Sequence, residues 1–271
     1  MKIKKSSLAI YLIILLTLPN TTHAFINLFK PTTAYFKIDN FRWIERENNN
    51  ALILRETGHI PGLGIEAKHT VYKELSLTST FEVFSGEITY DGQTQDGTPC
   101  KTKTIYKGFQ AETNATLWSA DYNKTFFGGP SVGIGYRSWS RNITSTEQAT
   151  GYTENWSTIY LKIGPSFKIK QDNQNILYFD IGAKLSLSNT NEIDLATLGL
   201  PKVNLKPGYK TSYFAKLSFK SHNTKTMLYY EKISFRKSNT EIVENNIGEY
   251  IGIHQPLSYA DIYGINIGIQ I

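Results

Sequence analysis

Beyond its first thirty residues the chain alternates apolar and polar positions. Ile159, Leu161, Ile163, Pro165, Phe167 and Ile169 take every second place, with Tyr160, Lys162, Gly164, Ser166 and Lys168 between them. Leu177, Phe179, Ile181, Ala183, Leu185 and Leu187 alternate in the same way with Tyr178, Asp180, Gly182, Lys184 and Ser186. The final run sets Tyr263, Ile265, Ile267, Ile269 and Ile271 against Gly264, Asn266, Gly268 and Gln270. Successive side chains of a strand face opposite ways, so each run has one apolar and one polar face. A helix would repeat its apolar positions every three or four residues, and these runs do not. Ten strands are expected, at about 33–46, 62–72, 75–89, 103–118, 127–141, 156–170, 175–188, 208–221, 225–237 and 258–271. In the ninth, Glu231 falls on the otherwise apolar face.

The links between the runs are of two kinds. Residues 72–74, 119–126, 171–174 and 221–224 are short, whereas 47–61, 90–102, 142–155, 189–207 and 238–257 are long and polar. The two kinds alternate strictly, and ten is even, so both chain ends fall at the end with the short turns. That rhythm predicts an all-β fold: a closed antiparallel transmembrane barrel with short periplasmic turns and long outer loops. A soluble sandwich or lipocalin-like barrel is the alternative, and it would turn its apolar face inward. Runs of 13 residues and more exceed the usual five or six of soluble strands and favour the membrane barrel. Its second, lumenal face would carry Glu66, Lys68, Glu82, Glu112, Arg137, Lys162, Lys168, Asp180, Lys184, Lys216, Lys232 and Arg236.

Composition sharpens this. Lys2, Lys4 and Lys5, the apolar stretch Leu8–Leu18 and the small residue Ala24 form the layout of a cleaved secretory signal, expected over residues 1–24, with the barrel domain over 25–271. Eleven residues are too few for a spanning helix, which needs about 20. Hydrophobic residues make up 40% of the chain and mean hydropathy is −0.30, so the chain lacks the long apolar runs of helical membrane proteins. The formal charge of +6 falls to +3 once the leader's three lysines are removed, which is too small to argue for nucleic acid. Cys100 is the single cysteine, so neither an internal disulfide nor a Cys-rich metal site is available. Trp118, Tyr122, Phe126 and Phe127 flank one short turn, and Trp139, Trp156, Tyr209, Tyr213, Tyr259 and Tyr263 lie toward the long loops. Two interfacial aromatic girdles are expected from them.

With its leader, alternating strands and short-turn, long-loop rhythm, the chain resembles the small bacterial outer-membrane barrels of the porin-like superfamily. The ending Tyr263-Gly264-Ile265-Asn266-Ile267-Gly268-Ile269-Gln270-Ile271 resembles the terminal strand read by the barrel-assembly machinery, except that Ile271 stands where that family usually carries an aromatic. The resemblance implies the outer membrane as location, with lipid and lipopolysaccharide as surroundings.

Chemistry is sparse. Omptin-like proteases of similar size use paired acids with an Asp-x-His, and neither Asp-x-Asp nor Asp-x-His occurs here. A lipolytic site would need Ser and His with an orienting group. His69 and His222 fall at or beside short turns, while His59 and His254 are expected in long loops within reach of Asp91, Asp96 or Asp261. Gly128, Gly129, Gly133 and Gly135 have no helix after them, so they read as strand glycines that make room in a lumen. Lys202, Lys206 and Lys210 are candidates for lipopolysaccharide phosphates, or plain surface lysines. No catalytic, cofactor or metal residue is singled out. The expected role is structural or surface-interacting through the outer loops, with a lumen plugged by ion pairs; a narrow channel and an outer-membrane hydrolase are the alternatives.

Overall fold

The computed structural model describes residues 32–47, 49–94, 97–119, 125–170 and 174–271. The expected leader, Asp96 and Tyr122 lie outside them. The elements are β1 (Thr32–Arg46), β2 (Leu52–Thr70), β3 (Leu75–Gln93), β4 (Pro99–Leu117), β5 (Phe126–Ile143), β6 (Thr153–Lys170), β7 (Asn175–Asp194), a 3-10 turn (Ala196–Leu198), β8 (Val203–Leu205), β9 (Gly208–Tyr209), β10 (Ser212–Ser221), β11 (Thr224–Arg236), β12 (Glu241–Glu244), β13 (Tyr250–Ile253) and β14 (Leu257–Gln270).

Ten of these form a ring. Each strand from β1 to β7 pairs antiparallel with the next, β7 pairs with β10, β10 with β11, β11 with β14, and β14 returns to β1 from Thr33↔Gln270 to Arg46↔Leu257. Among the described residues, where all ten strands pair, the ring leaves no edge for another chain to extend. β10 has only 10 residues beside the 20 of β7. β8 on the upper part of β7 and β9 on the end of β11 continue the wall there. The expected strand 208–221 is therefore broken at 210–211.

All ten expected strands are present, but several run further than expected. β2, β3 and β4 have 19 residues each, about 60 Å of strand at roughly 3.3 Å per residue, whereas crossing a bilayer takes about 9–11 residues. The expected long loops 47–61 and 90–102 accordingly shrink to the links 47–51 and 94–98. The cause is an inversion of side-chain polarity along each strand. Near the short turns the outward residues are apolar: Phe36 and Ile38, Leu63 and Ile65, Phe81 and Val83, Val132 and Ile134, Ile267 and Ile269 are all exposed. Further up the same strands the outward face becomes Asn40 and Arg42, Thr57 and His59, Glu87 and Thr89, Ser138 and Ser140. There the inward face becomes apolar, with Phe41 and Trp43, Leu54 and Ile60, Ile88 and Tyr90, and Trp139 all buried. The lower half is thus built for lipid and the upper half for water, on one continuous sheet.

The inversion also corrects two expected facings. Glu231 of β11 points inward with Ile233 and Phe235, and Lys232 and Arg236 point outward. β11 crosses the boundary near Tyr230: Leu228 lies outside below that point, and Ile233 and Phe235 lie inside above it. The aromatics are corrected likewise. Tyr209, Tyr213 and Tyr263 are exposed on the outer wall as expected, but Trp139 and Trp156 are buried core. At the short turn Phe126 is exposed, Phe127 is buried, and Trp118 donates to Ser76 Oγ at 2.8 Å.

Candidate functional site

The ten strands bring their inward charges together in a layer across the middle of the lumen. Glu112 of β4 accepts from Lys162 of β6 at 2.7 Å and lies 3.3 Å from Lys184 of β7. Lys184 continues to Glu231 at 2.8 Å, and Arg137 of β5 closes on Glu231 at 3.0 Å while donating to Gln110 at 2.6 Å. On the other side of the ring Lys37 bridges Glu82 at 2.9 Å and Asp39 at 3.1 Å. Tyr35 donates to Glu82 at 2.7 Å, and Tyr229 donates to Asp39. Inward glycines admit these rings: a Cβ on Gly135 would stand 2.3 Å from Tyr160 Cζ, and one on Gly264 would stand 2.1 Å from Tyr229 Cζ. Room for bulky neighbours is the role expected of the glycines in β5, and at Gly135 the structure shows it.

Above this layer the lumen is filled by rings. Trp139 and Trp156 stack at 5.5 Å with planes 7° apart; Trp43 meets Trp156 edge-on at 5.3 Å, and Phe235 packs on Trp156 at 5.0 Å. Beside them lies Arg141, fully buried. Its Nε and Nη2 reach Glu56 at 3.0 to 3.1 Å, and its Nη1 reaches Glu45 at 3.0 Å and Glu154 at 2.9 Å. The carboxylates are held in turn: Trp43 Nε1 donates to Glu45 at 2.8 Å, Trp156 Nε1 to Glu154 at 2.8 Å, and Thr104 Oγ1 to Glu56 at 2.7 Å. A buried guanidinium is tolerable only when its donors are matched this fully. These four charged residues were not singled out from sequence. The available signal was Trp43-x-Glu45, Trp139-x-Arg141 and Glu154-x-Trp156, three pairs two residues apart and so on the same face of a strand.

The outer crown is carried mainly by two links. The one after β7 packs Leu195, Val203 and Leu205 with Ile193 into a small apolar cluster, against which Val243 and Ile253 of the β12–β13 hairpin lie. That hairpin leaves Ile242, Ile247 and Tyr250 exposed by 65 to 79%. Among the expected lysines, Lys202 is 3.2 Å from Asp194 and 3.8 Å from Glu192, so it is engaged within the crown.

The histidines are scattered. His59 lies on the outer wall of β2 opposite Asn40, not in a loop; His69 stands near the short-turn end of β2 opposite Leu77. His222 occupies the β10–β11 turn at φ 52°, and His254 lies between β13 and β14, its pKa pulled below the ordinary histidine value by burial and by Lys237. Among the described residues neither His59 nor His254 meets Asp91 or Asp261. Asp261 lies on the outer wall, 2.6 Å from Arg42 and 3.7 Å from Lys232. No cluster of His, Cys, Asp or Glu suited to a metal occurs among the described residues.

Compared with known proteins, the chain matches no family model and no curated sequence. Solved structures do match. The outer membrane protease OmpT from Escherichia coli aligns with a TM-score of 0.54 and 10% identity over 90% of this chain and 98% of that one. An outer membrane channel from Pseudomonas putida F1 aligns at 0.42 and 8%, over 89% and 95%. At 10% identity the likeness to the OmpT barrel is one of fold alone. Together with the closed ring and its apolar belt, it defines a bacterial outer-membrane β-barrel protein. No helix among the described residues is long and apolar enough to cross a membrane; the crossing is made by strands.

Proposed function

We propose that this barrel is a closed, non-conducting outer-membrane protein with a structural or surface-interaction role, exercised through its outer crown. The observation that carries this reading is the stack of Trp43, Trp139, Trp156 and Phe235 with Arg141, all buried across the upper lumen. A continuous water column would have to pass through that stack. Ten strands enclose little space before side chains are counted, and here both the ion-pair layer and the aromatic core lie within it. The Glu241–Ile253 hairpin, with its exposed Ile242, Ile247 and Tyr250 beside Glu241, Glu244 and Glu249, is the contact element. Exposed apolar residues on a protruding loop are features of binding surfaces. Membrane lipid, lipopolysaccharide and, during biogenesis, the barrel-assembly machinery are the proposed partners, and the dispersed histidines support a role without catalysis.

Two measurements test this. Protease added to intact cells should clip the Glu241–Ile253 hairpin and leave the barrel embedded; complete protection would place the crown elsewhere. Proteoliposomes carrying the protein should not swell in small sugars, and swelling at porin-like rates would favour the narrow channel.

A further inference from the structure

On the periplasmic side of the ion-pair layer the lumen opens into a cavity of about 130 Å³ that reaches Thr33, Trp118 and Gln270 at the strand ends. A water needs about 10–15 Å³ of such space, so the cavity holds on the order of ten waters, or a small ligand with part of its hydration. We infer that this cavity is a binding site for a small doubly charged oxyanion, of the phosphate or dicarboxylate type, taken up from the periplasm. The inference is independent of whether the upper lumen conducts.

The charge inventory points to an anion. Five lysines line the cavity (Lys68, Lys162, Lys216, Lys220 and Lys225) against Glu66, Glu112 and Asp180. Two of the lysines are spoken for: Lys162 by Glu112 at 2.7 Å, and Lys225 by both oxygens of Glu66 at 2.5 and 2.7 Å. Lys68, Lys216 and Lys220 make no ion pair within 4.0 Å among the described residues. Over the whole lining five lysines face three carboxylates, an excess of two positive charges. Ammonium groups in a confined, low-dielectric space are costly without a counter-charge. A dianion supplies that charge.

The walls fit the same ligand. Lys68 Nζ lies over Tyr178 at 4.7 Å and Trp118 at 5.6 Å, held by rings that give it no hydrogen-bond acceptor. Its N–H donors are therefore available to a ligand, as are those of Lys216 and Lys220. Thr78, Thr80, Ser131 and Ser218 add hydroxyl groups to the lining. At the inner end Phe214, which sits 4.6 Å under Lys162, and the Glu112 network close the cavity. Among the described residues the inner end is closed, so the route assigned to the ligand is the turn end.

The test uses the mature protein refolded in detergent micelles. Inorganic phosphate and succinate are titrated separately by calorimetry at low salt, with sodium chloride at equal ionic strength as control. Saturable binding of either is expected, and the preferred one names the ligand class. Lys216→Met, and the double change Lys68→Met with Lys220→Met, should each weaken binding about tenfold or more, as expected for losing a charge-assisted hydrogen bond. Lys232→Met on the outer wall should leave binding unchanged. If the cavity variants fail to fold, lysine acylation followed by mass spectrometry on the unaltered protein decides. The anion should slow modification of Lys216 and Lys68 but not of Lys232. Binding or protection no greater than with sodium chloride, or loss of binding equal in Lys232→Met, would overturn the assignment.

Discussion

Trp139 and Trp156 face each other directly across the β5–β6 ladder, stacked at 5.5 Å on the inner wall of a barrel whose outer wall at that level is Ser138, Ser140, Asn155 and Ser157. Twenty-odd ångströms nearer the turns, on the order of six residues at roughly 3.3 Å each, the same strands turn Val132, Ile134, Leu161 and Ile163 outward. The pair marks the place where a membrane barrel becomes a water-exposed barrel with a core of its own.

That boundary can be tested on one face of one strand. Ile134→Lys places a charge in the belt, where it should cost about 2–4 kcal/mol and sharply reduce the folded, membrane-inserted fraction. Ser140→Lys, six residues up the same outward face, should be nearly neutral. Heat-modifiable mobility on a denaturing gel reports the folded fraction of each. Equal losses in the two variants would show that the belt is misplaced.

Removing a ring from the upper core should open a cavity there. Trp156→Ala is expected to cost about 3–5 kcal/mol, as for other large-to-small core changes. Urea unfolding in micelles, followed by the shift of mobility, measures it. A midpoint unchanged from the parent would mean that the stack contributes packing to neither stability nor closure.

Arg141 predicts a pH signature. Arg141→Met leaves Glu45, Glu56 and Glu154 close together and buried without their cation. Like charges in such a site are relieved by protonation. The variant should therefore be much less stable than the parent at pH 8 and should recover as the pH falls toward 5. A deficit of the same size at both pH values would contradict this electrostatic account.

In mid-lumen, Glu231→Leu strips Arg137 of its carboxylate and leaves Lys184 with Glu112 alone. Breaking a buried pair from one side typically costs about 3–5 kcal/mol. Phe235→Leu, four residues along the same inward face, changes volume without stranding a charge and should cost less. Unfolding midpoints of the two variants give the comparison.

Much of this was legible in the alternation. The ten strands, the short turns and the outward facing of Ile267 against the inward Gly268 follow from it, because lipid demands apolar residues at every second position. The upper halves of the strands were harder to read, since period two persists there while its phase reverses. Leu54, Glu56 and Ile60 look like loop residues when apolar is taken to mean outside. Glu231 looked like a defect for the same reason: β11 passes through the reversal. His59 was not legible as a wall residue because it belongs to the reversed upper half of β2, where its neighbours are set by register and not by loop reach. The cavity lysines were visible as inward charges, but which of them are paired depends on contacts across the ring, and Glu66 meets Lys225 from 159 residues away.

The closed lumen is the central claim, and single-channel recording in a planar bilayer tests it most directly. Purified, heat-modifiable protein should insert and leave the membrane current at baseline, because Trp43, Trp139, Trp156 and Arg141 fill the upper lumen. Steady unitary steps from the unaltered protein, changing in size or selectivity when Lys162 or Lys184 is replaced by Glu, would contradict the account and make the protein a narrow channel.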